Sequence, residues 1–75
     1  MKEFLESIVR QIVSRPEEVR VEEEDTERGI VLKLSVAQED MGKVIGREGK
    51  VAKAIRTVIK AASRNSLKPV YVDIV

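Results

Sequence analysis

Apolar residues recur at helical spacing near the start of the chain. Phe4, Leu5, Ile8, Val9, Ile12 and Val13 form one stripe, while Lys2, Glu3, Glu6, Arg10 and Gln11 fall largely opposite. This predicts an amphipathic helix over 2–14 with Phe4 on its core side, ended by Pro16 because the residue before a proline disfavours the helical region. Val19 and Val21 begin an alternating strand over about 18–24, and the acidic run Glu22–Asp25 leads into a turn around Thr26–Gly29. Ile30, Leu32, Leu34 and Val36 then alternate with Val31, Lys33 and Ser35, the clearest strand pattern in the chain, so the two strands predict a hairpin.

Asp40 is placed to cap a short helix over Met41–Ile45. Gly46-Arg47-Glu48-Gly49 interrupts it, and a second helix follows over about 49–64, with apolar positions Val51, Ile55, Val58, Ile59 and Ala62. Asn65–Pro69 reads as a loop. Val70, Val72 and Ile74 alternate with Tyr71 and Asp73 in a last strand, where Pro69 fits only at the start or on an edge. The order is α-β-β-α-α-β, and helices segregated on one face of a small sheet make a two-layer α+β fold. The whole of 1–75 is expected to be one domain, with a β-α-α-β core over about 29–75 and an N-terminal helix and strand over 2–24.

Composition narrows the chemistry. The chain is 43% hydrophobic, 36% charged and 3% aromatic, with no cysteine and no histidine. Disulfides and zinc–thiolate sites are excluded, as are the imidazole-based triads and dyads of nucleophilic catalysis. Absence of cysteine fits a cytoplasmic setting. No apolar run approaches the ~18 residues of a membrane span, and the acidic start, with Glu3 and Glu6, is unlike a signal peptide. Net charge is only +1, but residues 1–40 carry 6 basic against 11 acidic side chains, and residues 41–75 carry 8 against 2. Such asymmetry points to a polyanion-binding face.

The segment that carries chemistry is Gly42-Lys43-Val44-Ile45-Gly46-Arg47-Glu48-Gly49-Lys50. Glycines between two helices allow a left-handed cap at Gly46 and a close backbone approach at Gly49. The amides opening the second helix, with the positive end of its dipole, suit a phosphate. Lys43, Arg47 and Lys50 surround that point with positive charge, and Ile45, Val51 and Ile55, with Val44, are placed to line an apolar groove beside it. A Walker A loop would need a glycine at position 44 and Ser or Thr at 51, but both are valine; a dinucleotide fingerprint would also need glycine at 44. Lys50 and Lys53, in the first turns of the second helix, are better phosphate candidates than Arg56, Lys60 and Arg64, which read as a solvated helix face.

Val44-Ile45-Gly46-Arg47-Glu48-Gly49 within a β-α-α-β core resembles the K-homology (KH) RNA-binding domain, whose GXXG loop clamps the nucleic-acid backbone. The α-β-β-α-α-β order resembles its type II form, with a three-stranded mixed sheet. The phrases Glu39–Gly46 and Ala52-Lys53-Ala54-Ile55-Arg56 resemble the small bacterial single-KH proteins of the KhpA type. The resemblance implies a non-catalytic protein that binds single-stranded RNA, needing no cofactor or metal. About four nucleotides would cross the groove, their backbone on Gly46, Arg47, Glu48, Gly49, Lys50 and Lys43, their bases against Val44, Ile45, Val51 and Ile55. It further implies an RNA chaperone or post-transcriptional regulator that pairs with itself or with a larger Jag-type (KhpB) RNA-binding protein, acting in cell-wall homeostasis and cell length. Two departures stand out. Ala52 replaces the bulky aliphatic residue usual three places after the second glycine, and Glu48 puts a carboxylate where a basic residue would help more. The alternative reading is a protein-interaction subunit in which the KH fold is mainly scaffold.

Overall fold

The computed structural model describes residues 1–75. Its order is the predicted one: α1 (Lys2–Arg10), β1 (Arg20–Thr26), β2 (Gly29–Ser35), α2 (Met41–Ile45), α3 (Lys50–Ala62) and β3 (Val70–Ile74). The sheet is mixed, in the order β1-β2-β3, with β1 antiparallel and β3 parallel to β2. Val21, Leu32, Leu34 and Val72 point from it into one buried cluster, completed by Leu5 and Val9 of α1, Val44 of α2, and Ile55 and Ile59 of α3. All three helices thus cover one face. Arg20, Glu22, Glu24, Val31, Lys33, Tyr71 and Asp73 alternate onto the other.

The acidic run lies inside β1 rather than leading out of it. β2 pairs with β1 along its whole length, from Arg20↔Ser35 to Thr26↔Gly29, leaving only Glu27 and Arg28 for the turn. Charged residues suit an exposed edge strand. Two of them gain partners: Lys33 Nζ lies 2.7 Å from Glu24, and Lys68 Nζ lies 2.6 Å from Asp25. Gly29 is needed at the hairpin's end, with φ of 140°, because a Cβ would strike Pro69, whose carbonyl accepts the Ile30 amide at 2.9 Å.

Three expectations need correction. Phe4 is 42% exposed, because Leu5 and Val9 take the centre of the α1 stripe. Val58 is also 42% exposed and Ala62 is exposed; the buried stripe of α3 is Ala52, Ile55 and Ile59, turned toward the sheet. Ala52 therefore belongs to the core, where its small side chain suits close packing of α3. Helix α1 stops four residues short of the predicted end, and the amides of Ser14 and Arg15 beyond it are taken up by Asp40.

Asp40 precedes α2 but makes no side-chain hydrogen bond that caps that helix. Its carboxylate, only 1% exposed, accepts the backbone amides of Ser14 and Arg15, each at 3.0 Å. Those amides belong to the turn after α1, so one carboxylate ties the N-terminal segment to the start of α2. The Arg15 guanidinium reinforces the tie at 2.8 Å from Glu39.

The Ser14 amide bond holds the Asp40 carboxyl below its ordinary value of 3.8; burial opposes the shift, while the Arg15 amide, Lys43 and Arg15 add to it. A depressed carboxyl stabilises the fold fully above the unfolded value and loses that contribution as pH falls through the lower folded one. Asp40→Asn should therefore melt below the wild type at pH 6, and the difference should shrink as pH falls below 3.8. Thermal melts followed by circular dichroism across that range check this; a pH-independent difference would contradict the role given to the charge.

Candidate nucleic-acid interface

Helix α2 ends at Gly46, whose amide still reaches the Gly42 carbonyl at 2.8 Å. Gly46 then takes φ 75° and ψ 173°, so its φ is positive but its ψ is extended, not that of the expected left-handed cap. A Cβ there would overlap the Val51 side chain and approach the Val51 nitrogen to 2.9 Å. The close approach thus sits at Gly46. Left-handed geometry falls on the next residues, Glu48 (φ 56°, ψ 24°) and Gly49 (φ 75°, ψ 14°). A Cβ on Gly49 would meet nothing within 4 Å, so the space outside this glycine is open.

Residues Arg47–Gly49 make one tight turn, with the Gly49 amide bonded to the Gly46 carbonyl at 3.2 Å. The amides of Arg47 and Glu48 take part in none of the turn, loop or cap bonds. Arg47, Glu48 and Lys50 are exposed, and none forms an ion pair with another side chain. Lys43 is engaged elsewhere. Its ammonium donates to the Ser14 hydroxyl and lies 3.8 Å from Asp40, which draws it toward the α1 turn and away from the glycines.

The apolar residues expected beside the loop do not form one surface. Val44 and Ile55 are core, with no surface to offer a ligand, and Val51 is half-buried beneath Gly46. Ile45 alone is exposed, at 39%.

A cleft that helical spacing alone does not reveal takes their place. It lies between α3 and the free edge of β3, with a volume of about 600 Å³. Arg56 and Lys60 of α3 line it with Arg64 and Lys68 of the segment that follows, Lys68 being paired with Asp25, and Pro69 and Val70 supply its apolar wall. Arg56 is fixed there by donating its Nε to the Val72 carbonyl at 3.3 Å. Lys50, Lys53, Arg56 and Lys60 fall within about a third of the circumference of α3 and Arg64 follows in the turn just beyond its end, so the cations run from the glycine loop to the cleft. Arg56, Lys60 and Arg64 had read as a solvated face. The available signal was their spacing on a helix followed by a short loop and a strand that must run back beside it.

Substitution separates the two glycines. Gly49→Ala should cost about 1–2 kcal/mol, the penalty for a side chain in the left-handed region. Gly46→Ala should cost about 2–4 kcal/mol, since positive φ and overlap with Val51 add. Urea denaturation measures both, and equal losses would contradict the close approach at Gly46.

Comparison with known proteins places the chain in a family. The family profile described as "KhpA/KhpB, KH domain" matches residues 2–74. The RNA-binding protein KhpA of Clostridium acetobutylicum is 55% identical over 75 residues, covering 100% of both chains. That of Clostridium perfringens is 52% identical over the same length, again covering 100% of both. That of Chlamydia pneumoniae is 51% identical over 69 residues, covering 91% of this chain and 88% of its own. No solved structure matches significantly. Three helices on one face of a mixed three-stranded sheet, in α-β-β-α-α-β order, make the type II KH fold, and the chain belongs to the KhpA/KhpB KH-domain family.

Proposed function

We propose that the protein binds single-stranded RNA without chemical turnover, through the Gly46–Gly49 loop and the basic cleft together. One observation carries the reading: a glycine loop open at Gly49, with the Arg47 and Lys50 side chains free of ion pairs, continues along α3 as a run of cations into a cleft with an apolar wall. A phosphate above the loop meets the Arg47 and Glu48 amides, the N-terminus of α3 and the side chains of Arg47 and Lys50. Following phosphates meet Arg56, Lys60 and Arg64, and bases rest against Ile45, Pro69 and Val70. Exposed Glu48 opposes the loop phosphate and moderates affinity. The relatives named as RNA-binding proteins support the same reading.

Resemblance extends the proposal to the cell. One short groove binds weakly, and pairing modules raises avidity without new contacts. The protein then acts in the cytoplasm as an RNA chaperone or post-transcriptional regulator, paired with itself or with a larger Jag-type (KhpB) partner, in cell-wall homeostasis and cell length. A second reading, a dimerisation subunit with the KH fold as scaffold, has its own observation. Ala54, Val58 and Ala61 expose an apolar flank of α3 on the other side of its buried stripe from Arg56 and Lys60. Light scattering separates the two: an RNA-free dimer that does not bind RNA favours the scaffold, and an RNA-binding protein of any size favours the groove.

Gly46 cannot take a side chain without disturbing Val51, so the loop is best tested beside it. The double substitution Arg47→Asp with Glu48→Asp changes two exposed side chains, and Asp tolerates the left-handed backbone at 48. It should weaken binding of a fluorescent single-stranded RNA about tenfold or more, the loss of one charge-assisted contact of roughly 1.5–3 kcal/mol. Unchanged affinity with an unchanged circular-dichroism spectrum would remove the loop from the site.

Salt dependence counts the phosphates, at about −0.7 in log K per log salt for each one neutralised on a single strand. Arg47 and Lys50 alone give about −1.4; with Arg56, Lys60 and Arg64 the expected slope is about −3.5. Arg64→Ala should then flatten it by about 0.7. A slope near −1.4 that ignores Arg64→Ala would confine binding to the loop.

A further inference from the structure

Tyr71 is the only tyrosine, and there is no tryptophan. Its neighbours Val70 and Val72 face the helices, so the Tyr71 side chain stands on the uncovered face of the sheet, 50% exposed, beside its cross-strand partner Val31. β3 is an edge strand, and the ring sits where two hollows meet. On one side it lines the basic cleft; on the other it joins Thr26, Glu27, Arg28 and Val31 around an open hollow of about 690 Å³. Arg28 forms no ion pair. A large aromatic ring left half in water, flanked by an aliphatic side chain and a free guanidinium next to a polycationic cleft, has the composition of a base-stacking subsite.

We infer that RNA leaving the cleft crosses the β3 edge, stacks one unpaired base on the Tyr71 ring against Val31, and meets Arg28 with the adjoining phosphate. The inference rests on the RNA-binding reading above and lengthens its footprint from the helical face of the sheet onto the opposite face. An uncharged base suits the site because Glu27 and Asp73 stand near the ring and Lys33 is occupied by Glu24, so only the Arg28 side welcomes phosphate. Stacking is tolerant of base identity, since every base has a π-face.

A single tyrosine makes the site report on itself through its own emission. Two labelled oligouridylates, of four and eight nucleotides, are titrated with the protein while anisotropy reads binding and tyrosine fluorescence reads stacking. The longer strand should bind more tightly and quench Tyr71 emission. Tyr71→Ala should weaken the longer strand at least fivefold, the low end for a stacked base, and the shorter strand by less. Tyr71→Phe should restore the affinity, which separates stacking from loss of the hydroxyl, and Arg28→Ala should weaken the longer strand only. Binding by anisotropy with unaltered emission and unaltered affinity in Tyr71→Ala would overturn the stacking site while leaving the RNA-binding reading intact. No binding of either strand would overturn both. Emission per mole of protein that changes with protein concentration in the absence of RNA would mean that a second copy covers the ring, and would also overturn it.

Discussion

Gly46 and Val51 lie so close that no side chain fits between them, and the position of the loop follows from that contact. Because Gly46 is bare, α2 can end against the first turn of α3, and the intervening residues are pushed outward as a single turn. The left-handed conformations at Glu48 and Gly49 complete the reversal and leave the outer side of Gly49 open. The N-terminus of α3 then faces outward with Arg47 and Lys50 around it. Asp40 does for α2 what Gly46 does for α3. It binds the α1 turn through two backbone amides, so the helix that delivers the loop is anchored to the N-terminal segment. The loop is exposed, but both of its supports are packed.

Electrostatics follows from sheet order. β1, with four consecutive acidic residues, and β3, beside the cationic flank of α3, are the two opposite edges of the sheet. Apart from the Lys68–Asp25 pair, the imbalance between the halves of the sequence thus becomes a separation in space. A nearly neutral chain has one edge that repels a polyanion and one that attracts it, which orients an approaching strand before contact. Lys43, although next to the glycines in sequence, is withdrawn from this field by Ser14 and Asp40.

Where periodicity and chain-breaking residues coincide, the sequence was sufficient. The strict alternation of Ile30 to Val36 marked β2 almost to the residue, and Asp40 with Gly46 bracketed α2 correctly. Interactions between distant residues were not legible. Asp40 looks like a helix cap because its amide partners are 25 and 26 residues away. The acidic run looked like a turn because the β2 backbone and the Lys33 and Lys68 side chains that accommodate it are not local. Val58 and Ala62 fit a helical stripe as well as Ala52 does, and only the direction of the sheet decides between them. Within the site, the place of the loop was legible from its two glycines but their roles were not, since the close approach falls at Gly46 and the left-handed geometry at Glu48 and Gly49. The cleft was not, because it needs α3 and β3 side by side.

The central claim is that the glycine loop and the α3–β3 cleft form one continuous RNA-binding surface. Titration of ¹⁵N-labelled protein with a short single-stranded RNA, followed by amide chemical shifts, tests it most directly. The expected shifts run from residues 46–50 through Arg56, Lys60 and Arg64 to residues 68–72, with β1 unmoved. Shifts confined to β1, or to Ala54, Val58 and Ala61, would contradict it.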